Sequence, residues 1–97
     1  GASLAKMPGG TAWKARYDAK FPGQFQVYSP YVYDAVMVLA DAMVRAKSAD
    51  PKVYTAEIGK ANYQGVTTKV QFESNGELKN PAMTLYTYKG GKKAALN

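Results

Sequence analysis

The sequence has no cysteine and no histidine. Without cysteine it can form no disulfide, no thiolate metal site and no thiol nucleophile. Without histidine it lacks the commonest general base, the commonest metal ligand and the side chain that titrates near neutrality. Arginine is scarce, since Arg16 and Arg45 are the only two among 13 basic residues. Long apolar runs are missing as well. The richest stretch, 32–44, carries Asp34 and Asp41 and is shorter than a bilayer span. The opening Gly1-Ala2-Ser3-Leu4 lacks a basic region followed by an apolar core, so no secretory leader is read there. These absences point away from a self-contained catalytic domain.

What is present fits a folded chain of one-domain length: 97 residues, 46% hydrophobic and 21% charged. The net charge of +6 raises the question of an anionic partner. Base-edge and phosphate readers favour arginine, however, and the lysines here are dispersed, with only Lys92 and Lys93 adjacent. Dispersed lysine reads as solvated surface, and no nucleic-acid partner is expected. A small basic module for nucleic acid or a membrane surface is the alternative.

The breakers and periodicities predict the order α-β-α-α-β-β. Pro8-Gly9-Gly10 precedes a helix capped by Thr11, with Trp13, Tyr17 and Phe21 on one face. Residues 24–29 read as a short strand. Ser29-Pro30 then reads as N-cap plus first-turn proline for a helix over 31–47. Asp34, Asp41 and Arg45 form a narrow polar stripe on that helix, and most of its remaining circumference is apolar. Such a helix needs neighbours on several sides, which a chain of this size cannot easily supply. The chain is therefore expected either to self-associate or to be part of something larger. Asp50-Pro51 opens a third helix over 51–61, packed through Val53, Tyr54, Ile58 and Ala61. Strands follow over 66–72 and 83–89, with a turn at Ser74-Asn75-Gly76-Glu77 and an ending at Gly90-Gly91 plus a polar tail.

Few constellations carry chemistry. Glu73 to Glu77 lacks the spacing of a calcium loop and reads as a hairpin turn. Asp34 and Asp41 lie two helical turns apart, roughly 10 Å, too far to share a proton. The serines have no histidine partner, and Pro8-Gly9-Gly10-Thr11 lacks the lysine of a phosphate loop. No catalytic residue, metal site or cofactor is expected. One cluster stands out: Tyr28, Ser29, Tyr31 and Tyr33 at the entry to the long helix. Tyrosines there supply apolar area with hydroxyls, as ligand pockets use. The alternative is that Tyr33 packs in the core and Ser29 only caps.

Several stretches resemble, in order, the periplasmic branched-chain amino acid binding proteins, the Leu/Ile/Val-type receptors of ABC importers. Tyr31-Val32-Tyr33-Asp34-Ala35-Val36 resembles the family's Y-x-Y-D-A-v helix, and Trp13 to Phe21 its preceding helix. Residues 50–58 resemble its next helix, residues 63–77 its f-x-G-v-t-G-x-v-x-F segment, and residues 86–92 its closing strand. Thr68 departs from the family's usual glycine.

The resemblance implies a C-terminal portion of a type I periplasmic-binding-protein fold, two doubly wound α/β lobes closing on ligand. Residues 1–97 would form one segment contributing to both lobes, with crossings near 26–30 and 65–78. It further implies a periplasmic location and capture of an amino acid or related small solute for a membrane permease, with no bond made or broken. Tyr28 would be an apolar wall of the cleft, with Ser29 and Tyr31 as neighbours. Most ligand contacts would lie in earlier segments, so the chain alone would bind weakly or not at all. Self-association or exchange of elements between copies would cover its exposed helix.

Overall fold

Proline and glycine punctuation places the helices. A 3-10 turn, Leu4–Lys6, is followed by α1, Gly10–Lys20. In the computed structural model, which describes residues 1–96, α2 spans Ser29–Ala46 and α3 spans Pro51–Gly59. Four short strands follow: β1 Tyr63–Gln64, β2 Lys69–Val70, β3 Tyr86–Lys89 and β4 Lys92–Ala95. They form two separate antiparallel ribbons. Tyr63 pairs with Val70 in the first, and Lys89 pairs with Lys92 in the second. The order is α-α-α-β-β-β-β, which corrects the expected α-β-α-α-β-β.

The differences have local causes. No strand forms over 24–29, because Ser29 N–H donates to Gln26 O at 2.9 Å and Gln26 N–H donates to Ser29 Oγ at 3.0 Å. These two bonds curl the segment into a turn. Ser29 is consequently the first residue of α2 and not its cap, a position held by Tyr28. Thr11 likewise lies inside α1, whose cap is Gly9. Asp50 does cap α3, its carboxylate accepting from Lys52 N–H at 3.0 Å with Pro51 in the first turn. Val53 on α3 is 48% exposed, so it is not one of that helix's packing residues.

Gly90 and Gly91, at φ 56° and 77°, make a two-residue hairpin turn. Both positions favour glycine, and the twist of such a turn matches that of the flanking strands. The tail expected to be irregular therefore folds back as β4. The turn at 74–77 is closed by a Phe72–Leu78 bridge and a 2.7 Å bond from Glu73 N–H to Glu77 O.

Helix α2 organises the chain. Its buried residues include Asp34, Val38 and Ala42. Val38 meets Ala61 and Val70 in a small core flanked by Tyr63, Phe72 and Leu78. Arg45 Nε donates to Asp41 at 3.0 Å, and its other nitrogens donate to the Glu57 carboxylate at 2.6 Å and the Glu57 carbonyl at 2.8 Å, tying α2 to α3. The stripe expected to be a polar face is thus the side turned toward the rest of the protein.

The opposite side is bare. Val32, Val36 and Val44 are 60%, 59% and 76% exposed, so the burial expected on most sides of the helix is not provided by this chain. The accessible surface is 7,038 Å², against about 5,400 Å² for a compact monomer of this mass. The radius of gyration is 15.8 Å, against about 13 Å for a compact domain near 100 residues. The physical reason is geometric, since two-stranded ribbons cover little and cannot wrap an 18-residue helix. Among the described residues no helix is long and apolar enough to cross a membrane.

Candidate functional site

Helix α1 and the start of α2 converge on the turn at 24–29, bringing the aromatic residues together. Trp13 is buried and stacks on Tyr17 at 5.0 Å between ring centroids. Tyr33 meets Trp13 edge-on at 5.7 Å, and Phe21 extends the row from Tyr17 at 5.3 Å. Phe25 closes one side, edge-on to both Trp13 and Tyr17, with the Lys14 ammonium 5.1 Å above its ring. Each such ring pair adds about 0.5–1.5 kcal/mol beyond area burial. The spacing of 13, 17 and 21 predicted this face; it leaves the core progressively, Phe21 being 48% exposed.

Against the open side of this cluster lies a groove of about 640 Å³, within the usual range for small-molecule sites. Tyr28, Ser29 and Val32 form one wall, and Arg16 and Lys20 reach in from α1. Neither cation is engaged in an ion pair among the described residues, and Asp18 beside them is taken by Lys14. Among the described residues no acidic side chain lines the groove.

The three residues singled out in the sequence are not gathered in one place. Tyr28, 73% exposed, and Ser29 line this groove. Tyr31 lines a second cavity of about 380 Å³ with Val38, Leu39, Ile58 and Phe72, and its hydroxyl accepts from Ala2 N–H at 3.0 Å. Two residues along a helix is about 200° around its axis, so Ser29 and Tyr31 face nearly opposite ways.

A buried node holds the start of α2 against the segment after β1. Asp34 Oδ1 accepts from Val66 N–H at 2.8 Å, and Oδ2 accepts from Thr67 N–H at 2.8 Å and Thr67 Oγ1 at 2.6 Å. The same segment is bonded to the chain start through Gly9 N–H and Val66 O at 3.1 Å. Gly65 is required here, because a β-carbon would overlap the Asp34 carboxylate. Thr67, within the expected strand 66–72, is 6% exposed. The bonds to Asp34 draw Val66 and Thr67 off the ladder, so β2 starts only at Lys69.

Sequence reasoning missed this node and the part that Arg16 and Lys20 play in the groove. The α1 periodicity placed the aromatics, but nothing local tied Asp34 to Thr67, 33 residues away.

The comparisons with known proteins agree with this architecture. The chain matches the family described as "Receptor family ligand binding region" over residues 11–91. Among curated proteins, none matches. Among solved structures the chain is similar to a leucine binding protein, LivK, from Thermotoga maritima MSB8. The identity is 24% and the TM-score 0.77, covering 99% of this chain and 28% of that one. That likeness shows the fold: the chain has the architecture of a segment of a type I periplasmic binding protein and spans 28% of the length of the solved relative.

Proposed function

We infer solute capture from the family, for the chain belongs to the receptor family ligand binding region, matched over residues 11–91. The proposed role is that of a substrate-binding component of an ABC importer. It would hold an amino acid or related small solute in the periplasm for a permease, without making or breaking a bond. The match over 11–91 carries this reading, and the groove at Tyr28 and Ser29 has room for a small solute.

In this reading residues 1–97 correspond to the C-terminal segment of a two-lobed protein, passing between lobes near 26–30 and 65–78. Gly9 is bonded to the second passage through Val66. Tyr28 is the apolar wall for the ligand's side chain and Ser29 its neighbour. Tyr31 acts from the far side of the helix, by fixing the chain start through Ala2. Without the rest of the cleft the chain binds amino acids weakly or not at all.

The bare side of α2 supports a further statement. The surface exceeds that of a compact monomer by about 1,600 Å², about twice what one partner buries in a standard interface. Either more of the same polypeptide covers Val32, Val36 and Val44, or copies of the chain associate.

The test is calorimetry with leucine, isoleucine, valine and small carboxylates. It is run on the chain and on a chimera carrying residues 1–96 in place of the corresponding segment of the leucine binding protein. The chimera should bind a solute and the chain alone should not bind these amino acids tightly. Micromolar amino-acid binding by the chain alone, or a folded chimera that binds nothing, overturns the reading. Sedimentation of the chain reports on association.

A further inference from the structure

The groove beside α1 discriminates by charge as well as by shape. Its floor and walls are aromatic, with Trp13, Tyr17, Phe21, Tyr28 and Tyr33 all contributing. Among the described residues its only charged lining groups are Arg16 and Lys20, both cationic, one helical turn apart and without an ion-pair partner. Its neutral polar residues are Gln26, Ser29 and the tyrosines. Ser29 Oγ already accepts from Gln26 N–H at 3.0 Å.

An α-amino acid bound here would bring its ammonium beside two cations, with no carboxylate to receive it. Like charges at close range repel, and the neutral oxygens of Gln26 and the tyrosines offset that repulsion less than a carboxylate would. A carboxylate lacking that ammonium has the opposite fit. Guanidinium takes a carboxylate through two parallel donors, and an adjacent ammonium adds a point charge. The ring-lined walls suit a planar apolar body, since aromatic rings gain from stacked and edge-on neighbours beyond the area they bury.

We propose that this groove takes a small aromatic carboxylate, its ring among the aromatic side chains and its carboxylate on Arg16 and Lys20. The proposal rests on the solute-capture reading and narrows its ligand class. Every residue it uses lies between 13 and 33, so the groove can be tested on the whole chain as it stands.

Trp13 is the sole tryptophan and sits in the groove lining, so its fluorescence reports occupancy. The chain is titrated at low salt with benzoate, benzamide, cyclohexanecarboxylate, phenylalanine and leucine. Benzoate should bind about tenfold more tightly than benzamide or phenylalanine, the contrast expected of charge-assisted pairing at a half-open site. It should also bind more tightly than cyclohexanecarboxylate. The double variant Arg16→Gln/Lys20→Gln should lose the benzoate advantage while keeping benzamide binding and the circular dichroism of the parent. Tyr28→Ala should weaken both ligands.

Equal binding of benzoate and benzamide, or phenylalanine or leucine binding as tightly as benzoate, overturns the proposal. So does the absence of a saturable change with benzoate, including one lost as protein concentration rises because a second copy fills the groove. If the chimera captures an amino acid while benzoate fails on the chain, solute capture stands and this ligand class falls.

Discussion

Replacing Asp34 by alanine should destabilise the chain more than any other single side-chain truncation in α2. The carboxylate is 4% exposed and accepts three hydrogen bonds, two from the backbone of Val66 and Thr67 and one from the Thr67 hydroxyl. The hydroxyl can rotate toward another acceptor, but the two amides cannot move without breaking the segment. Hydrogen bonds to a charged group contribute about 1.5–3 kcal/mol each, and a buried donor left unmatched costs about 1–3 kcal/mol. Val66 is half-buried and water can partly replace its lost acceptor. The expected loss is therefore about 3–5 kcal/mol, a large share of the roughly 5–15 kcal/mol that holds a domain folded.

Asp34→Asn should cost less, about 2–3 kcal/mol, because one oxygen still serves one amide while the new NH₂ faces Thr67's donors. The assay is urea denaturation followed by Trp13 fluorescence at fixed protein concentration, since association would shift the midpoint. Amide exchange at Val66 and Thr67 is measured alongside and should accelerate in both variants. A loss under about 1 kcal/mol for Asp34→Ala, with protection at 66 and 67 unchanged, would refute the assignment of the node as the tie between α2 and this segment.

Two further substitutions probe backbone geometry. Gly65→Ala drives a β-carbon into the Asp34 carboxylate, so the node must shift, with an expected loss of about 1–3 kcal/mol by urea titration. An unchanged midpoint would mean the segment gives way freely. Lys47 ends α2 in the left-handed region at φ 54°. Lys47→Gly should raise the stability by about 0.5–1 kcal/mol, and the midpoint with it, since glycine holds that conformation without the β-carbon clash; a lowered midpoint would count against it.

The sequence alone determined the helical elements and most of their limits. Proline and glycine act on the backbone of their own and adjacent residues, so Pro30, Asp50-Pro51 and Gly76 carried their meaning locally. The period-3.6 placement of Trp13, Tyr17 and Phe21 identified the aromatic face, and the ordered motifs pointed to the family. The sequence also indicated that α2 carries more apolar surface than so short a chain can cover, because that follows from composition around a helix and total chain length. Tertiary structure decided the rest. A carboxylate on a helix is solvated or buried according to what meets it, and Asp34 is buried because amides 32 and 33 residues away arrive at bonding distance. That meeting shortened the strand after Gly65, turned the supposed polar stripe inward and left the valines facing out. The same holds for the groove: Arg16, Lys20 and Tyr28 become one surface only when the turn at 24–29 folds α2 back toward α1. Spacing along a chain fixes which residues share a helix face, but which faces meet depends on contacts that close over long loops.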